Sequence, residues 1–561
     1  MRTQIINLVL AIAAFTFMGQ NLWAQPGGDL PSEKVEVIKI FEAKLAESEK
    51  VNLSPQLPPV DTSVSHQFYE VPPKEFYVDY PAPRIRPISY KTGEEVPDVY
   101  KAYAKLGGGL PASIFAEGAF NTVVKRSDKS SYDVGLNILH HSADFSNNDI
   151  ENQKFGLTKA EGKGTYYFEQ GFAVGTNLGY TSNKVHYYGY SLDPFNTETD
   201  VPADAVKQLF NTFDFGIRIF NGVRTAGDVN YNAGLDFYRH TDNFASGETG
   251  LNFDLKGTKW IAERHSFDLN LSTDFTWYND TMAVGQTLHN YTLAPAFTYH
   301  GSAFKLKGGG KLISNNDEFF LFPDLELVLN LTGNELALFA GVTGGLQKNT
   351  FRSLSGYNPY IHTRLPDNTL RNTKYFKGYA GVRGNLKLFE YTAEASFKPA
   401  NDVALYKFRF DNDLIYDFDV VYDDIDIINI SGSIKAIPIK GLELTGTVSQ
   451  NIYDTKLEDK AWHLPSLEVN FKALYISNDG KLRANAQVFL ENGVPANIDP
   501  VPGKYKNLNS LFDLSLGAEY WFVKNFAAFI DVNNLLGNER QRWYYYPTYG
   551  TNVLGGITMR F

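Results

Sequence analysis

The sequence predicts an all-β protein: a single large antiparallel transmembrane β-barrel of about 22 strands, preceded by a mostly extended periplasmic segment. Three observations predict it. The first is the run 552–561, where Val553, Ile557, Met559 and Phe561 share one face with Gly555, while Leu554, Gly556, Thr558 and Arg560 share the other. A strand alternates in this way when one face meets apolar surroundings and the other meets water. An edge strand cannot stand open in lipid, so this one is expected to close the barrel against the first strand. The second observation is composition. The chain is 43% hydrophobic, as a soluble protein would be, yet 14% aromatic, with 34 Tyr and 41 Phe. Lumen and lipid faces average out in a barrel, and aromatics gather in girdles at the two interfaces. The third is that text of the form strand, turn, strand runs from about Ala102 to Phe561.

Taken in order, residues 1–24 read as a signal peptide. Arg2 supplies the positive charge, Ile5 to Phe17 is a short apolar core, and Ala24 precedes the cleavage point at Gln25. Residues 25–100 have a different character. Val35, Ile38, Phe41 and Leu45 fall at helical spacing among charges, which predicts a short amphipathic helix over 32–51. Prolines then recur from Pro55 to Pro97 and hold the chain extended. Phe68, Tyr69, Phe76, Tyr77 and Tyr80 lie among them, more aromatics than a bare linker carries. This stretch is the candidate segment for closing the lumen or docking a partner.

Residues 101–561 form the barrel domain. Along 512–520, Phe512, Leu514, Leu516, Ala518 and Tyr520 alternate with Asp513, Ser515, Gly517 and Glu519. The stretches 267–277 and 213–219 follow the same rule, and such polar faces suit a wet lumen better than a sandwich core. Further strands are expected near 112–123, 130–142, 172–187, 226–240, 246–256, 286–299, 302–314, 318–331 and 335–346. Others are expected near 374–387, 389–398, 412–422, 427–437, 441–453, 464–477, 481–492 and 526–533. Turns at Asn478-Asp-Gly480 and Pro438-Ile-Lys-Gly441 read as periplasmic, whereas 188–205, 347–373, 454–463 and 493–509 read as extracellular loops.

Three C-terminal runs carry a family resemblance: Asp531-Val-Asn-Asn-Leu-Leu-Gly-Asn-Glu539, Tyr544-Tyr-Tyr-Pro547 and Gly555-Gly-Ile-Thr-Met-Arg-Phe561. Together they resemble the end of TonB-dependent receptor barrels. The tyrosine-rich strands and the style of cleavage look like the Bacteroidetes members. The resemblance implies an outer membrane of a Gram-negative bacterium and uptake of a solute. It also implies a lumen-filling plug, for which the proline-rich residues 25–100 lack a compact α/β pattern. Val35-Glu-Val-Ile38 can be forced into the short apolar box that couples such receptors, but the helix reading is favoured.

Little points to chemistry. Cysteine is absent, which excludes a lipid-modified anchor, a disulfide scaffold and thiolate sites. His140-His141 alternate across a strand, and adjacent strand residues cannot both face one metal. The acids Asp411, Asp413, Asp417, Asp419, Asp423, Asp424 and Asp426 lack the glycine and closing Glu of a calcium loop. They read as lumen or rim groups. No nucleophile-elbow motif is present, so neither an enzyme nor a cofactor is expected. Arg540, Arg542, Trp543 and Tyr544 to Tyr546 read as an anchor against lipid head groups. The partners expected are outer-membrane lipid, the barrel-assembly machinery and a periplasmic or surface protein. A net charge of −11 argues against nucleic acid. The rival reading is a barrel that does not transport and instead scaffolds a secretion, assembly or surface-display complex.

Overall fold

A computed structural model describes residues 100–561 apart from 127–128, 194–199, 281–284 and 411–413. The signal peptide, the 32–51 helix and the segment carrying Phe68, Tyr69, Phe76, Tyr77 and Tyr80 lie outside the described residues.

The strands are β1 (Ala102–Leu110), β2 (Ser113–Lys125), β3 (Ser131–Asp144), β4 (Lys154–Tyr167), β5 (Phe172–His186), β6 (Lys207–Asn221), β7 (Val229–Asp242) and β8 (Gly247–Ile261). Next come β9 (His265–Asn279), β10 (Gln286–His300), β11 (Phe304–Asn315), β12 (Glu318–Thr332), β13 (Leu336–Asn349), β14 (Arg371–Leu386), β15 (Phe389–Phe408) and β16 (Phe418–Ile439). The chain continues through β17 (Leu442–Thr455), β18 (Leu467–Ile476), β19 (Leu482–Asn492), β20 (Val494–Asn497), β21 (Tyr505–Leu508), β22 (Leu511–Val523) and β23 (Phe526–Asn533). It ends with β24 (Gln541–Trp543), β25 (Tyr546–Pro547) and β26 (Asn552–Arg560). One short helix, α1 (Phe351–Tyr357), follows β13.

These form one closed antiparallel barrel of 22 strands, with the small hairpins β20–β21 and β24–β25 outside it. Each barrel strand pairs with its neighbours in sequence, and β26 closes the ring by pairing with both β23 and β1. The predicted strand over 552–561 occupies this closing position. Val553 pairs with Leu110, Ile557 with Leu106 and Met559 with Ala104. Phe561 donates its N–H to the Ala102 carbonyl at 2.8 Å, and its own carbonyl accepts from Lys101 and Ala102. The alternation sorts by environment: Ile557 is 48% exposed on the outer face, whereas Leu554 and Thr558 are buried on the inner one.

The seam shows why glycine is needed there. A Cβ on Gly556 would lie 2.6 Å from the Gly107 Cα and 2.7 Å from the Phe529 ring. A Cβ on Gly107 would lie 2.6 Å from that same ring. The Phe529 ring therefore covers two bare backbone positions, one on each closing strand. Lys105 stacks on its open face with Nζ 3.9 Å from the centroid, and pairs with Asp531 at 2.9 Å.

The two mouths differ. Connections such as Lys440–Gly441 and Ser477–Lys481 are tight, and Gly441 and Gly480 adopt φ of 88° and 67°. At the opposite mouth the connections 187–206, 350–370, 456–466 and 493–510 are long. In outer-membrane barrels long loops face outward and short turns face the periplasm.

Three expectations are corrected. Among the described residues of 412–422 only 418–422 is strand, and it continues through 427–437 as one strand, β16, while strands β1 and β4 were not expected at all. Asp423 and Asp424 break the alternation of β16 without ending it. The Asp423 carboxylate turns aside to accept from the backbone N–H groups of Lys456, Leu457 and Glu458.

Candidate functional site: a cap across the long-loop mouth

The long connections fold together over the barrel. The segment 350–370 contributes most. Thr350 caps α1 in a reciprocal box with Ser353. The Phe351 N–H donates to the buried carboxylate of Glu248 on β8 at 2.6 Å, so an acid sits where the helix leaves donors unpaired. Arg352 pairs with Asp214 on β6 at 2.7 Å, and Ser355 meets His240 on β7 at 3.1 Å. The segment then runs on, held by the Tyr278 hydroxyl donating to the Thr363 carbonyl at 2.7 Å and by Gln286 donating to the Pro366 carbonyl at 2.9 Å. It also meets β16: the His362 N–H donates to the Phe418 carbonyl at 2.8 Å, and the Phe418 N–H donates to the Tyr360 carbonyl at 3.1 Å. Strands β6 and β16 stand ten places apart in a ring of 22, so the segment crosses the mouth from one wall to the other.

A dry aromatic core fills the space beneath and around this bridge. Tyr187 and Tyr188 come from the 187–206 connection, Phe351 and Tyr360 from 350–370, Phe418 from the start of β16, and Trp543 and Tyr546 from 541–549. Tyr360 and Tyr546 stack at 3.8 Å, and Tyr188 donates to the Pro547 carbonyl at 2.7 Å. Tyr546 donates to the Tyr416 carbonyl. Aromatic rings suit this place because each buries a large area, while tyrosine hydroxyls such as those of Tyr188 and Tyr546 satisfy backbone acceptors.

Charge ties the cap together at one buried point. Arg542 meets Glu491 of β19 at 2.7 Å, with both side chains less than a tenth exposed. The same guanidinium donates to the His463 carbonyl at 2.9 Å and to the Tyr357 hydroxyl at 2.8 Å. One side chain thus joins the barrel wall, α1, the 456–466 connection and the β24–β25 hairpin. This corrects the sequence expectation for Arg542, Trp543 and Tyr546: all three are buried in the cap and cannot touch lipid head groups.

His463 lies fully buried beside them, stacked on Trp543 at 5.3 Å. A carbonyl can only accept, so the 2.6 Å contact from Nδ1 to the Tyr406 carbonyl places the proton on Nδ1. That leaves Nε2 to accept from the Tyr544 N–H at 3.4 Å. Burial first, and the Arg542 charge next, hold the imidazole neutral and push its pKa down to about 3. The unfolded histidine titrates near 6.5, so between those values the unfolded state binds the extra proton. Stability is therefore complete above about pH 6.5 and falls with acidification at a slope approaching about 1.4 kcal/mol per pH unit, until about pH 3. Replacing His463 with Gln is expected to flatten that slope, read as protease resistance of the loops measured from pH 7 to pH 4.

The other singled-out residues have structural partners. His140 contacts Thr158 and Ser142, while His141 packs on the other face between Phe115 and Phe155. Asp417 pairs with His362 at 2.7 Å and Asp426 with Lys456 at 3.0 Å. Among the described residues no group of three or more His, Asp or Glu side chains is arranged to hold a metal ion. The sequence reading missed the cap altogether. The signal available was the density of tyrosines in the long connections, notably Tyr187-Tyr188 and Tyr544-Tyr-Tyr546.

No protein-family model and no curated protein matches this chain. Solved structures do. The FrpB iron transporter from Neisseria meningitidis matches with a TM-score of 0.62 at 9% identity, over 82% of each chain. The siderophore receptor PirA from Acinetobacter baumannii matches with a TM-score of 0.61 at 10% identity, over 82% of this chain and 80% of that one. The ferripyoverdine receptor of the outer membrane of Pseudomonas aeruginosa matches with a TM-score of 0.58 at 11% identity, over 82% and 72%. The chain therefore has the barrel fold of outer-membrane iron and siderophore receptors.

Proposed function

We propose that this protein is a receptor-type barrel of a Gram-negative outer membrane that passes a solute through its lumen, with the cap as the outer gate. The observation that carries the reading is the bridge 350–370, which joins opposite walls of a 22-strand barrel by a side-chain ion pair at β6 and backbone hydrogen bonds at β16. A ring of that size encloses an aqueous lumen that must be filled or gated. The aromatic segment with Phe68, Tyr69, Phe76, Tyr77 and Tyr80 is the second closure in this reading, acting from the periplasmic side or receiving a partner there. The neighbours include an iron transporter and a siderophore receptor, which makes a chelated metal the first solute to try.

One feature supports the rival scaffold reading. The cap core is dry and aromatic, as in a permanent seal, and its outer side is then a surface for a partner. Planar-bilayer conductance separates the two. For a gated transporter, full-length protein is silent, and steady pores appear only when residues 26–100 are removed and the cap is loosened together. For a scaffold, no combination short of unfolding conducts. Steady pores in the unmodified protein would defeat both closures.

A further inference from the structure

The outer wall of β4–β8 is charged in one sense only. The pairing registers fix which side chains face outward, and from Lys154 through Ile261 no outward strand position on these five strands holds a carboxylate. The acids of the same strands, among them Asp214, Asp236 and Asp254, all face the lumen. In a chain of net charge −11, this sorting leaves a basic rim. Outward Tyr180 and Phe213 pair with each other at the loop-side edge of the apolar band, and Arg239 pairs with Phe213 beside them. Lys184 stands four residues further along β5, towards the loops.

Two of the rim cations are already neutralised: Lys154 by Asp144 at 3.1 Å and Lys207 by Asp204 at 2.6 Å. Neither Lys184 nor Arg239 makes a salt bridge among the described residues, and the acid whose charge Lys184 feels, exposed Asp204, is already paired with Lys207. Both are laid flat along the wall by glycines. The Lys184 stem passes 3.2 Å from where a Gly156 Cβ would be, and the Arg239 guanidinium covers Gly247 in the same way. Arg239 is further fixed by donating to the Thr249 hydroxyl at 2.8 Å. From strand geometry the two α-carbons lie on the order of 15 Å apart.

We infer that Lys184 and Arg239 form a binding site for a phosphate-bearing lipid of the leaflet on the long-loop side. The inference rests on the membrane placement proposed above. A cation at the edge of an apolar band meets lipid head groups while its stem stays on the protein. Arg presents a forked donor suited to phosphate, and Lys a compact charge. The apolar rings of Tyr180 and Phe213 meet the acyl chains just below. An anionic lipid supplies a full counter-charge to both cations, and a zwitterionic one carries its own cation in competition.

The test refolds the full chain into phosphatidylcholine vesicles with and without phosphorylated lipid A, extracts it in mild detergent and weighs the retained lipid by native mass spectrometry. Wild-type protein is expected to retain phosphorylated lipid A and to release the dephosphorylated form. Each of Lys184→Gln and Arg239→Gln is expected to lower retention about fivefold. Lys259→Gln, outward at the opposite end of β8, is expected to leave it unchanged. Equal retention of the dephosphorylated lipid, or an equal loss with Lys259→Gln, overturns the inference while leaving the membrane reading intact. Failure of the wild-type chain to insert into either vesicle overturns both.

Discussion

Arg542→Ala is expected to open the cap while leaving the barrel closed. The guanidinium pairs with buried Glu491, and its removal takes a cation from a carboxylate shielded from solvent. Deleting one partner of a buried pair costs about 3–5 kcal/mol, and most of that is the penalty of the charge left behind. The Tyr357 hydroxyl and the His463 carbonyl lose a donor in the same step. Hydrogen exchange is expected to accelerate through 350–370, 456–466 and 541–549 together, with the strand amides unaffected. Arg542→Lys keeps the charge but not the fork and should fall between the two. Exchange confined to the β24–β25 hairpin would show that the cap is not one cooperative unit and that Arg542 does not hold it.

The second large effect lies at the seam. Gly556→Ala introduces a carbon that collides with the Leu106 carbonyl, the Gly107 Cα and the Phe529 ring at once. Two of those are backbone atoms of the partner strand, which cannot swing aside, so the strands must part. Overpacking of this kind costs about 1–3 kcal/mol in a core that can adjust, and more where the backbone itself is the obstacle. Gly555→Ala, one residue away and facing outward, meets nothing closer than 3.8 Å and serves as the control. Closed barrels run at a different position on gels before and after heating. Gly556→Ala is expected to lose the fast unheated band and Gly555→Ala to keep it. Equal bands would show that β1 and β26 can close without the bare backbone.

The contrast between these two sites also marks what the sequence could tell. The wall was legible because each strand declares itself locally: along β22, Phe512, Leu516 and Tyr520 face out and Asp513, Ser515 and Glu519 face in, within a dozen residues. Where that local signal is weak, the reading failed. From 156 to 164 the outward positions of β4 are Gly156, Thr158, Ala160, Gly162 and Gly164, so no large apolar side chain marks the middle of the strand. In β1 the run Gly107-Gly-Gly109 erases the alternation, for a reason visible only when Phe529 is seen lying over it. The cap was illegible in principle as well as in practice. Its contacts join residues such as Tyr188 and Pro547, or Glu248 and Phe351, whose spacing has no period. Arg542 looked like an interface anchor because an arginine beside aromatics reads the same at a membrane surface and in a buried polar knot.

The seam between β1 and β26 has a consequence for how the protein comes into being. Lys105 and Asp531 touch across 426 positions of chain, whereas nearly every other ladder joins strands that follow one another directly. Neighbouring hairpins can therefore form as the chain emerges, but the ring stays an open ribbon with two bare edges until its far strand arrives. Contacts of such long sequence separation are slow to form, and an unpaired edge invites strands from other molecules. Until then the chain is a sticky half-product whose two edges are open to strands of other molecules.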